Sequence, residues 1–105
     1  MRFAITTGGS GAEQRITTTA PLVAGVWKHV AVTLQGTTCI LYLDGVEVGR
    51  NNSMTLKPSS LGSTTNNFLG KSQYADPYLN GLLDNFRIYN RALTANEITA
   101  LYAFR

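Results

Sequence analysis

The chain has 105 residues, is 44% hydrophobic and 14% charged, and carries one cysteine and a formal net charge of +3. That length fits one domain or part of one, and the apolar content excludes a disordered chain, which combines low hydrophobicity with high net charge. The basic residues are scattered from Arg2 to Arg105 with no clustered stripe, so the positive balance is not a nucleic-acid footprint.

Short strands separated by turn residues dominate the chain, the pattern of a sandwich or barrel. Residues 2–7 form the first predicted strand, and the GGSG run at 8–11 is a flexible loop. This loop lacks the following Lys-Ser/Thr pair and the helix that a phosphate loop requires. Residues 14–19 form a second strand rich in β-branched side chains. The strongest strand runs from 27 to 34, with Val30, Val32 and Leu34 alternating against Ala31 and Thr33. A turn at 35–37 leads into the apolar run 39–43, where Cys39 is a small buried hydrophobe and, as the only cysteine, forms no internal disulfide. Asp44-Gly45 then separates this run from the alternating residues 46–49. A two-residue Asp-Gly loop predicts a hairpin, because both central positions of a type I′ turn need positive φ.

Residues 51–67 are polar and loop-like, with a short strand predicted near 54–56. A brief strand is expected at 68–70 and a loop at 72–78. The last predicted strand spans 80–89, with Leu83, Asn85, Arg87 and Tyr89 on one face and Leu82, Asp84, Phe86 and Ile88 on the other. Only the end reads as helical: Thr94 and Glu97 have the spacing of a capping box, and Ile98, Leu101 and Tyr102 form one apolar stripe. No stretch approaches the eighteen or so apolar residues of a membrane span. Met1 and Arg2 run directly into a strand-like segment with no secretory leader, so composition alone gives no argument for export.

Chemistry-bearing residues are few. His29 is the single histidine and no second cysteine, metal-ligand spacing or Ser-His-Asp set accompanies it, so ring packing at the sheet is its expected role. The loop from 71 to 80 is the candidate ligand surface, because Gln73, Tyr74, Asp76, Tyr78 and Asn80 combine aromatic faces with amide and carboxylate groups. Sugars are recognised by such sets, with C–H faces stacking on rings and hydroxyls bonding fixed polar groups. Asn66 and Asn67 are candidates for the same rim, although Tyr and Asn also fill ordinary sandwich loops.

Four segments together resemble the laminin G-like jelly-roll family of concanavalin A-like lectins and glucanases: GVWKHVAVT at 25–33, LYLDGVEVG at 41–49, FLG at 68–70 and GLLDNFRIYNRAL at 81–93. The last, leading into the capped helix, is the most specific. The resemblance implies an all-β fold, an antiparallel two-sheet jelly-roll sandwich closed by a short C-terminal helix. It assigns Trp27 and His29 to the framework. Members of the family carry further strands before the equivalent of Arg2, so residues 1–105 are expected to be a partial module. Its sheet edges would be covered by strands from another chain or by a second copy in a homo-oligomer.

The resemblance also implies a secreted or cell-surface location, bacterial and often beside a glycoside hydrolase, and a possible structural calcium ion, for which Asp84 matches the acidic position in the last long strand. A surface hydrogen bond is the other role open to Asp84. Glycosidases need two carboxyls about 5–10 Å apart across one bond, and hydrolases on this fold place them on one strand. No strand here carries two, which argues against a glycosidase, and the resemblance implies a non-catalytic module that binds carbohydrate or mediates adhesion. The alternative is a purely structural or protein-binding sandwich without sugar affinity.

Overall fold

The computed structural model describes residues 1–104, and among these the regular structure is five strands, two short 3₁₀ turns and one helix. Strands β1 (Arg2–Ile5) and β2 (Gln14–Thr17) form an antiparallel pair with Phe3 opposite Ile16. Strands β3 (Val30–Gln35), β4 (Thr38–Leu43) and β5 (Val46–Asn51) form an antiparallel meander in sequence order. The β3–β4 connection is a two-residue loop between Gln35 and Thr38, with Gly36 at φ 59°. The β4–β5 connection is the Asp44-Gly45 loop, with φ of 51° and 80°, as a type I′ turn demands.

Alternation along β4 decides the layering. Cys39 and Leu41 point to one face, where they cluster with Ile5 and Ile16 of the first hairpin and with Met54. All five are buried, and Met1, Phe3, Leu34 and Leu56 pack around them. The two sheets therefore face one another across this core, each large aliphatic side chain contributing about 1.5–3 kcal/mol by leaving water. Burial also pushes the Cys39 thiol above its usual range, leaving it protonated and inert.

Tyr42 and Thr33 are buried on the opposite face of the meander. Helix α1 (Ala95–Ala103) docks at its hairpin end: a Cβ built on Gly45 would lie 3.3 Å from Tyr102 Cδ1, and Thr99 Oγ1 donates to the Gly45 carbonyl at 3.5 Å. Ile98 is the buried anchor of the helix. Its N-terminus is closed as the sequence predicts. Glu97 N donates to Thr94 Oγ1 at 3.2 Å, while Thr94 N donates to Glu97 Oε2 at 2.8 Å.

Several expected strands are absent from the ladders, each for a local reason. Residues 27–29 precede β3 because the Asp44 carboxylate accepts the His29 amide at 2.9 Å, and Trp27 is 56% exposed. Residues 54–56 have their amides satisfied elsewhere. Met54 N donates to the Thr37 carbonyl at 3.0 Å, and Thr55 N and Leu56 N both donate to Gln14 Oε1 at 2.8 Å. Residues 68–70 and 80–89 form no ladder, the second because no strand lies beside it among the described residues. Within that run Asn85 adopts a left-handed φ of 53° and its amide turns back onto Asp84 Oδ1 at 2.8 Å. The GGSG loop holds a single 3₁₀ turn at Ser10–Ala12.

Two outcomes follow from this packing. A side chain at Gly49 would collide with Ile16 Cγ2, a branched atom that cannot swing away, so Gly49→Ala is expected to lower unfolding free energy by about 1–3 kcal/mol in denaturant titration. An unchanged midpoint would mean that the layers do not meet there. The Arg91 guanidinium beside Glu97, together with the Thr94 amide, lowers the Glu97 carboxyl to about 2. A depressed carboxyl adds stability above its unfolded value and loses it as pH falls towards the folded one. The thermal midpoint of the natural chain should therefore exceed that of Glu97→Gln at pH 7, and the gap should close between about pH 4.5 and pH 2. A gap independent of pH would contradict the charged pair.

Candidate functional site

The candidate ligand loop is built on one backbone closure. Leu79 N donates to the Gly70 carbonyl at 2.8 Å, tying the two ends of the loop together. Gly70 has φ 75°, a conformation that other residues rarely adopt, and it turns the chain outward at the start of the loop. This closure sets Lys71 and Tyr78, the residues just inside it, opposite one another. Inside the loop the Tyr74 amide donates to Ser72 Oγ at 2.9 Å.

An open cavity of about 570 Å³ lies beside this stem, lined by residues that include Asn67, Phe68, Lys71, Tyr78, Leu79 and Leu83. Lys71 Nζ sits 4.5 Å from the centroid of Phe68 and 5.8 Å from that of Tyr78, so one ammonium is shared by two aromatic rings. Tyr78 is 70% exposed and presents its ring to solvent. Asn67 is held in place at the rim by Thr64: Thr64 Oγ1 donates to Asn67 Oδ1 at 2.8 Å, and Asn67 Nδ2 donates to the Thr64 carbonyl at 3.4 Å.

Of the five residues singled out from sequence, Tyr78 alone lines the cavity. Gln73, Tyr74, Asp76 and Asn80 are exposed on the same loop and its exit but do not wall the cavity. Asn67 does line it, whereas Asn66 does not. Phe68 and Lys71 were not among the candidates. The signal for them was the glycine at 70, which fixes where the loop begins and therefore which residues flank its neck.

Four of the six carboxylates are occupied elsewhere. Asp44 accepts from Lys28 Nζ at 2.7 Å and from the His29 amide at 2.9 Å, in the turn that holds α1. Glu13, its side chain only 7% exposed, lies 3.4 Å from Arg2 and 4.0 Å from Arg15. Glu47 pairs with Arg50 at 2.6 Å, and Arg91 donates twice to Glu97, at 2.9 and 2.7 Å. His29 packs near Tyr102, with ring centroids 6.1 Å apart, and its Nδ1 is buried without a hydrogen-bond partner.

Asp84 is exposed, with Oδ1 accepting the Asn85 amide. Among the described residues no group of three His, Cys, Asp or Glu side chains gathers at any point.

A laminin G family model, described as the concanavalin A-like lectin/glucanases superfamily, matches residues 1–99. Among solved structures, the chain is similar to residues 221–444 of an S-layer domain-containing protein from Clostridium thermocellum. The two are 45% identical with a TM-score of 0.69 over 96% of this chain. The chain spans half the length of that structure. No curated protein matches it. With this match over residues 1–99 and two facing antiparallel sheets, the chain belongs to the concanavalin A-like lectin/glucanases superfamily, in its laminin G-like branch.

Proposed function

We propose that this chain is a non-catalytic carbohydrate-binding or adhesion module of a cell-surface or secreted protein, with its ligand site at the neck of the 70–79 loop. The observation that carries the reading is the cavity at that neck, where the exposed ring of Tyr78 stands beside Phe68, Lys71 and the fixed amide of Asn67. A flat aromatic face next to anchored polar groups is what a pyranose ring needs, since its C–H face stacks while its hydroxyls exchange hydrogen bonds. The S-layer domain-containing protein, itself named for a cell-surface layer, supports the location. The non-catalytic reading is supported by the engagement of Glu13, Asp44, Glu47 and Glu97 in ion pairs, which leaves no facing pair of free carboxylates on one strand.

The partner side of the proposal is strand completion. Residues 82–89 present Leu82, Leu83, Phe86 and Ile88 to solvent, Leu82 at 78% and Ile88 at 83% exposure, on a segment with no ladder. Soluble domains seldom leave such a run uncovered. Complementing strands, from another segment or a second copy, would cover it. A calcium ion enters this proposal only in the completed domain, where Asp84 would be one of several oxygen donors.

Glycan-array screening followed by titration calorimetry tests the reading. At least one polysaccharide should bind, and Tyr78→Ala should weaken binding by about 0.5–1.5 kcal/mol, the scale of one aromatic contact. Absence of binding to every glycan class would leave the structural or protein-binding role, which the apolar run at 82–89 favours.

A further inference from the structure

Resting on that reading, we infer that the site selects an anionic glycan, with Lys71 as the residue that reads the acidic group. The inference starts from how the ammonium is held. Two rings approach it, Phe68 at 4.5 Å and Tyr78 at 5.8 Å, and among the described residues no carboxylate lies within ion-pair distance of it. Aromatic faces orient an ammonium through their quadrupoles but leave its formal charge uncancelled. Lys28 contrasts with it, since Asp44 neutralises it at 2.7 Å.

Position adds to the charge argument. Lys71 and Tyr78 stand together at the loop neck and both wall the cavity. A sugar stacked on the Tyr78 ring therefore lies within reach of the ammonium. Asn67, the polar group at the rim, has its own amide engaged by Thr64, so the cation is the strongest polar feature offered to a ligand. A neutral sugar gains only a hydroxyl contact from it, whereas a carboxylate or sulfate gains a charge-assisted hydrogen bond in a partly apolar setting. The shared chemistry is a negative charge on a sugar ring, met in uronic acids and in sulfated sugars alike.

Calorimetry of the full chain with three probes separates the cases: oligogalacturonate, a sulfated dextran oligomer, and a neutral cello-oligosaccharide of matched length. Either anionic probe should bind at least about tenfold more tightly than the neutral one, with affinity falling as salt is raised from about 20 to 200 mM. The tighter of the two anionic probes identifies the acidic group. Lys71→Gln should lower anionic affinity about tenfold or more and so erase this preference, and Lys71→Arg should restore most of it. Retained folding of the variants is checked by their thermal midpoints. Equal affinity for all three probes, or an anionic preference that survives Lys71→Gln, would overturn the inference and leave the sugar-binding reading standing. Failure of every probe, and of the wider glycan screen, would remove both.

Discussion

The spacing between the two sheets is set where β5 crosses β2. Gly49 lies opposite Ile16, and the isoleucine fills the volume that any side chain at 49 would occupy. From this close approach follows the core, because Cys39 and Leu41 on β4 then cluster with Ile5, Ile16 and Met54. The contact is tied at its side by polar bonds across the layers. Asn51 Nδ2 donates to the Arg15 carbonyl at 3.0 Å, and Gln14 Nε2 donates to Thr55 Oγ1 at 2.6 Å while its oxygen takes two further amides. Apolar burial holds the sheets together, and these amide side chains fix their relative register.

A second point of control is Asp44, which does three things at once. Its backbone makes the first positive-φ position of the β4–β5 turn, its carboxylate pairs with Lys28, and it bonds the His29 amide. His29 then abuts Tyr102 of α1, and Gly45 gives the helix room to approach. The turn, the chain entering β3 and the terminal helix are thereby one connected unit. This explains why the Trp27-to-His29 stretch, strand-like by composition, is a clamp outside the ladder.

Much of this was legible in the sequence because the governing signals are local. Asp44-Gly45 fixes its turn by φ alone, and Thr94 and Glu97 satisfy each other across three residues. The parts that were misread depend on partners remote in sequence. Residues 80–89 alternate like a strand, yet a strand needs a neighbour to bond, and composition cannot say whether one is present. Residues 54–56 look extended for the same reason, but it is the side chain of Gln14, some forty positions away, that meets their amides. At the candidate site, aromatic and amide content drew attention to the whole loop, whereas the cavity forms at its neck, where Tyr78 alone of the five residues singled out lies. Lys71 and Phe68 meet there because the Gly70–Leu79 hydrogen bond closes the loop.

The molecule is accordingly divided in kind: a laddered, core-bearing part comprising the hairpin, the meander and α1, and a stretch carrying the candidate site that is held by turns and single hydrogen bonds. Residue-resolved amide hydrogen exchange, at a dilution where copies do not associate, addresses this division directly. The account predicts slow exchange at core ladder positions such as Val32 and Leu41 and fast exchange through Leu82, Phe86 and Ile88, where no strand partner is present. Protection of residues 82–89 equal to that of the meander, in the isolated chain at that dilution, would contradict it.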